Sequence, residues 1–98
     1  MNYKELGKSG VKVSELILGC WAMGGDYFGA TEDESSLEAL RVSYENGVNT
    51  FDTAEIYGSG RSERVVGEAA RRIGRDKVKI ISKVFKPSMD HDKMVKAC

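Results

Sequence analysis

The sequence predicts an α/β fold, in which a small N-terminal hairpin precedes three βα units whose strands run parallel. Three observations carry that expectation. Short apolar runs at residues 15–18, 48–52 and 78–83 alternate with segments whose apolar side chains recur at helical spacing. Gly47 and Gly74 stand where the first two helical patterns stop, the usual place for a C-terminal cap. Two of the runs close on Asp52 and Lys83, which puts a carboxylate and an ammonium at the end of the sheet where α/β proteins bind ligands.

Taken in order, residues 3–6 and 11–13 flank Gly7-Lys8-Ser9-Gly10, a glycine-bounded loop that suits a hairpin. Residues 15–18 follow as a short, mostly apolar strand of the kind buried on both faces. It runs into Gly19-Cys20-Trp21 and a glycine-rich loop through Gly24, Gly25 and Gly29, long for a βα connection. Thr31 and Glu34 have capping-box spacing, and Glu32, Asp33 and Glu34 place negative charge at the helix's positive end. Leu37, Leu40 and Tyr44 form that helix's apolar stripe, and Gly47 ends it.

Residues 48–52 are the next strand. Ser62 stands where it can cap a second helix, in which Val65, Val66, Ala69 and Ile73 face the core and Gly74 is the stop. Arg71, Arg72 and Arg75 suit the dipole near its C-terminus and read as a solvated face. Residues 78–83 form the third main strand, after which Pro87 breaks the chain. From Ser88 onward the spacing of Met94, Val95 and Cys98 starts a third helix. The sequence shows neither an internal repeat nor a low-complexity linker.

Composition narrows the function classes. The 98 residues carry 15 basic and 15 acidic side chains, and zero net charge argues against a nucleic-acid footprint. A domain of this length hides only about 60–65% of its unfolded surface, so its core is small. Cys20 and Cys98 are too few and too far apart for a secreted disulfide framework. Met1-Asn2-Tyr3-Lys4-Glu5 is charged at once and holds no signal-peptide core. The apolar stretch 16–23 falls well short of the ~20 residues that a membrane span needs. The expectation is a soluble, cytoplasmic chain that partners neither nucleic acid nor membrane.

Chemistry concentrates in Thr50-Phe51-Asp52-Thr53-Ala54-Glu55-Ile56-Tyr57-Gly58-Ser59-Gly60. Asp52 stands at a strand's C-terminal end, Tyr57 on the loop leaving it, and Lys83 at the end of the following strand. A free tyrosine titrates near ~10, too high for easy proton release at neutral pH. A lysine ammonium beside it favours the phenolate, and a carboxylate keeps that lysine charged and aimed. Spacing alone favours a plainer reading, an ion pair with a tyrosine packed beside it, because charged strand ends are common.

A more specific pattern emerges when segments are taken together. Leu18-Gly19-Cys20-Trp21, the block from Gly47 through Asp52 to Tyr57-Gly58, Ser62-Glu63 with Val66-Gly67, and Ile81-Ser82-Lys83 resemble the aldo/keto reductase family. The resemblance covers essentially the whole chain and is nearest to the branch holding bacterial oxidoreductases and potassium-channel beta subunits. It implies the N-terminal third of a (β/α)8 barrel, with a hairpin closing the bottom and NADPH bound at the C-terminal rim. Residues 1–98 would then be a partial reductase domain that stops within its third helix, since such barrels typically take ~250 residues.

The resemblance also implies roles. Tyr57 would be the general acid that protonates a small-molecule carbonyl as hydride arrives at carbon. Lys83 would lower the tyrosine's pKa, and Asp52 would hold Lys83. Cys20 and Trp21, with Asp52, would lie at the nicotinamide end of the cofactor. The family's fourth catalytic residue, a histidine from the fourth strand, and the pocket for the 2′-phosphate and adenine fall outside this sequence. No metal is implied.

Other signals carry less. His91, the sole histidine, follows the third strand and reads as a solvated helix start. Gly58-Ser59-Gly60 opens like a dinucleotide fingerprint, but Glu63 occupies the third glycine's place. Cys20 reads as a small buried side chain rather than a nucleophile. Two functions therefore stand: an NADPH-dependent reductase of aldehydes and ketones, or a non-catalytic remnant that keeps the start of the fold. Alone, the chain is expected to be inactive and to self-associate through its open sheet.

Overall fold

Strands β1 (Tyr3–Glu5) and β2 (Lys12–Ser14) pair antiparallel with Tyr3 opposite Ser14, forming the expected hairpin. Side-chain bonds pin it to the main sheet. The Ser14 N–H donates to Asn49 Oδ1 at 2.9 Å, and the Asn49 N–H returns a bond to Ser14 Oγ at 3.2 Å. Tyr3 donates its hydroxyl to the Gly47 carbonyl at 2.7 Å. Gly47 is needed there twice over. Its φ of 99° is left-handed, and a Cβ would lie 2.7 Å from Met1 Cβ.

The computed structural model describes residues 1–24, 33–86 and 89–97. Gly25, Gly29, Thr31, Glu32, Pro87, Ser88 and Cys98, to which the sequence assigns a loop, a cap, a breaker and a helix, lie outside the described residues. Within them, β3 (Leu18–Gly19), β4 (Thr50–Asp52) and β5 (Lys79–Ile81) form one parallel sheet in that order. Leu18 stands opposite Phe51 and Gly19 opposite Asp52; Phe51 faces Ile80 and Asp52 faces Ile81 on the other side. The central strand is buried on both faces, with Thr50 and Phe51 fully inaccessible.

Helices α1 (Asp33–Glu45) and α2 (Arg61–Ile73) pack against each other, while α3 (His91–Ala97) is a short C-terminal helix. In α2, Ser62, Val65, Val66, Ala69 and Ala70 are buried, a stripe repeating every three to four residues. Leu37 and Leu40 of α1 meet this stripe over Phe51, Val78, Cys20 and Met23 to make one core. Asp33 and Glu34 keep acidic charge at the start of α1, where they pair with Arg61 and Arg72 of α2. The shortest dimension is 22 Å, consistent with one sheet layer and one helix layer. Among the described residues, no helix is long and apolar enough to cross a membrane.

One strand is shorter than the sequence suggests. Leu16 is 63% exposed and Ile17 44%, and only Leu18 and Gly19 enter the sheet. The cause is local. Ser14 donates its hydroxyl to the Leu16 carbonyl at 2.6 Å, bending the chain as it leaves the hairpin. The third strand is also trimmed, ending at Ile81 rather than Lys83.

Among the described residues, β3 and β5 each have a neighbour on one side only, and Leu6, Val11, Leu16 and Ile17 remain exposed. Unpaired edges beside apolar side chains promote association. Size-exclusion chromatography with light scattering is therefore expected to find dimers or larger species at micromolar concentration. A monomer at every concentration tested would show that these edges do not associate.

Candidate active site

The register of the sheet brings three chemical groups to its C-terminal rim. Asp52 is the last residue of β4, and Lys83 lies two residues past β5. Lys83 Nζ donates to Asp52 Oδ1 at 2.5 Å and to the Thr53 carbonyl at 2.9 Å. The same nitrogen stands 5.4 Å from the centroid of the Tyr57 ring. Asp52, Tyr57 and Lys83 thus meet at one place. Partial burial pulls the lysine's pKa down, but its bond to Asp52, that carboxylate's charge and the Tyr57 phenol outweigh this. The net direction is above the ordinary lysine value.

Tyr57 opens a turn that reverses the chain into α2. Gly58, Ser59 and Gly60 take φ values of 60°, 53° and 97°, three left-handed residues in succession. Glycine accepts that conformation without cost, and Ser59 is the one side chain asked to adopt it. The turn leaves Tyr57 half-buried beside Trp21, with ring centroids 6.2 Å apart and planes tilted by 31°. Trp21 itself is 45% exposed, so its ring forms part of the rim surface.

Cys20 differs from its neighbour. It is fully inaccessible, its N–H bonds the Asp52 carbonyl at 2.9 Å, and burial with the charge of Asp52 pushes its thiol up to about 12. Its carbonyl accepts the Ser62 hydroxyl at 2.7 Å. Because that hydroxyl has one proton, the 2.7 Å contact between Thr53 Oγ1 and Ser62 Oγ is filled by a proton from Thr53. A buried chain of hydroxyls therefore ties the ends of β3 and β4 to α2.

This revises the role of Ser62. Gly60 is the N-cap, without a side-chain bond, and Ser62 lies inside the first turn with its hydroxyl turned to the sheet. The part of Thr53 in this contact carried no sign in the sequence. A small hydroxyl at the first buried position of the α2 stripe is the signal that points to such a contact. His91 begins α3, with its side chain 89% exposed and bonded to Asp92 Oδ1 at 3.1 Å.

Comparison with known proteins gives a consistent result. The model of the aldo/keto reductase family matches residues 15–98. A probable voltage-gated potassium channel subunit beta of Arabidopsis thaliana is 44% identical over 87 residues, covering 87% of this chain and 26% of that protein. Aldo-keto reductase YhdN of Bacillus subtilis is 38% identical over 84 residues, covering 85% and 25%. Among solved structures, a thermostable aldo-keto reductase, Tm1743, superposes with a TM-score of 0.86 at 36% identity. The match covers 99% of this chain and 36% of that one. An aldo-keto reductase of Klebsiella pneumoniae in complex with NADPH gives 0.76 at 36% identity, covering 89% and 29%. The chain spans about a quarter of the length of these curated relatives. Its hairpin, parallel strands and helices are opening units of the (β/α)8 barrel of such reductases, here left unclosed.

The raised pKa values of Cys20 and Lys83 set an alkaline limit on stability. A group whose folded pKa is raised contributes fully below its unfolded pKa and loses that contribution as pH rises through the folded value. For Cys20 the window runs from its ordinary 9.0 up to about 12, and Lys83 loses its share above the ordinary lysine range. The thermal unfolding midpoint should stay level near neutrality and fall from about pH 9 upward, less steeply in Cys20→Ala. A parent and variant with the same alkaline profile would contradict the buried thiol's part.

Proposed function

The chain belongs to the aldo/keto reductase family, and we propose that it supplies the proton-transfer half of an NADPH-dependent carbonyl reductase. The observation that carries this reading is one ammonium, Lys83 Nζ, held 2.5 Å from Asp52 and 5.4 Å from the Tyr57 ring. Tyr57 gives its hydroxyl proton to the oxygen of an aldehyde or ketone as hydride reaches the carbon, leaving an alcohol. The Lys83 ammonium offsets the negative charge left on the phenol oxygen, and Asp52 fixes that ammonium in place.

The residues present suit the nicotinamide end of the cofactor. Trp21 offers a half-exposed aromatic face next to Tyr57, and buried Cys20 anchors the backbone from which Trp21 projects. When bound, NADPH supplies the hydride; the chain's residues supply orientation and the proton. Reduction belongs to a closed barrel, in which further strands bring a histidine to orient the carbonyl and a pocket for the adenosine phosphate. The substrate is a small carbonyl compound, and a reducing cytoplasm suits a chain with a free, buried Cys20. A non-catalytic role predicts the same fold without turnover in any longer form.

Two measurements test this. In a full-barrel form, Tyr57→Phe should cut turnover by roughly 10²–10⁴ while NADPH affinity changes little. Equal turnover in parent and variant would move the acid to another residue. The 98-residue chain, titrated with NADPH while Trp21 fluorescence is followed, should show no saturable micromolar binding. Saturation there would mean that these residues hold the cofactor unaided.

A further inference from the structure

Lys83 lies beyond the last residue of β5, where strand pairing is giving out, and it is half exposed. A lysine side chain has four rotatable bonds, so an exposed carboxylate alone holds it loosely. The structure adds fixtures on both sides of it. The Ser82 hydroxyl donates to Glu63 Oε1 in the first turn of α2. The Phe85 N–H donates to Glu55 Oε2 at 2.8 Å. Between them, the Glu55 N–H donates to the Lys83 carbonyl at 3.1 Å, and one step earlier the Thr53 N–H donates to the Ile81 carbonyl at 2.7 Å. All of these partners come from residues 53–63, the segment that also carries Tyr57 and directly follows Asp52.

We propose that Glu63 and Glu55 are positioning residues, which bracket the segment 82–85 from either side and so hold Lys83 against Asp52 and Tyr57. The inference rests on reading Lys83 as the partner of Tyr57. It adds that the acid–base group is built largely by one continuous segment. That segment supplies Tyr57 and, through two carboxylates outside the reacting set, the seat of Lys83. Ser82 and Phe85 are the points of attachment. Glu63 acts through the hydroxyl of Ser82 and Glu55 through the N–H of Phe85, on either side of Lys83.

The groups that bear on the Lys83 ammonium are Asp52, the Thr53 carbonyl, Tyr57 and the Cys20 thiol. Its titration reports how closely it is held, and this needs no enzymatic activity. Trace acetic anhydride across alkaline pH, with peptide mass spectrometry, reads the titration midpoint of Lys83 against the chain's other lysines. Ser82→Ala removes a bond and leaves every charge. It should lower the Lys83 midpoint towards the ordinary ~10.4 without moving the others. Ser82→Thr keeps the hydroxyl and should restore the parent value. Glu55→Gln keeps an acceptor and Glu55→Ala does not, so the larger fall should come from alanine.

Asp52→Asn should give the largest fall of all. If Asp52→Asn lowers the midpoint while Ser82→Ala and Glu55→Ala leave it at the parent value, the bracket is overturned and the Asp52–Lys83 pair stands. If Asp52→Asn also has no effect, the pair itself is absent, and both the bracket and the reading of the site fall.

Discussion

The register of β4 against its two neighbours is the constraint on which the rim depends. Gly19 and Ile81 both stand opposite Asp52, so Cys20 and Trp21 leave β3, and Ser82 and Lys83 leave β5, around one carboxylate. Side chains alternate along a strand, so a slip of β4 by one residue would turn Asp52 to the opposite face of the sheet, away from Lys83. Phe51 guards against that slip. It is fully buried in the apolar cluster with Leu40, Val66 and Val78, and moving it by one place would put polar Thr50 or charged Asp52 into that cluster in its stead. Hydrophobic burial therefore sets the position, and the charged groups take the places that the register leaves them.

Polar interactions contribute unequally within that frame. The pairs of Arg41 with Glu38 and Glu45, and of Arg71 with Glu68, lie on exposed helix faces. Solvent screens such pairs, and they add little to stability. The chain from Thr53 through Ser62 to the Cys20 carbonyl is different, because all three residues are buried. Breaking it would strand polar atoms away from water, at a cost of about 1–3 kcal/mol. The Asp52–Lys83 pair falls between these cases. Both side chains are partly exposed, so the pair matters less for stability than for where it holds an ammonium.

Much of this was legible in the sequence where one periodicity dominates. The α2 stripe follows from Val65, Val66 and Ala69, and the ends of both helices from Gly47 and Gly74. The meeting of Asp52, Tyr57 and Lys83 was expected from strand ends and from resemblance, and the structure brings them together. Less legible were features that depend on a distant partner. An apolar run at 15–18 looks like a buried strand, yet a local bond from Ser14 to Leu16 bends it outward. Ser62 looks like a cap from its place near a helix start, while the Cys20 carbonyl, 42 residues away, decides where its hydroxyl goes. Glu55 and Glu63 carry no mark in the sequence that tells a surface acid from a backbone anchor.

The central claim is spatial: a tyrosine, a lysine and a tryptophan, from three separate strand ends, share one rim. Nuclear Overhauser contacts in the 98-residue chain test it most directly. The ring protons of Tyr57 should show contacts both to the ε-methylene of Lys83 and to the indole of Trp21. The observed ring separation of 6.2 Å and ammonium distance of 5.4 Å place both within reach. Contacts from Tyr57 to neither group, in a chain whose Phe51 and Leu40 still contact one another in the core, would contradict the account.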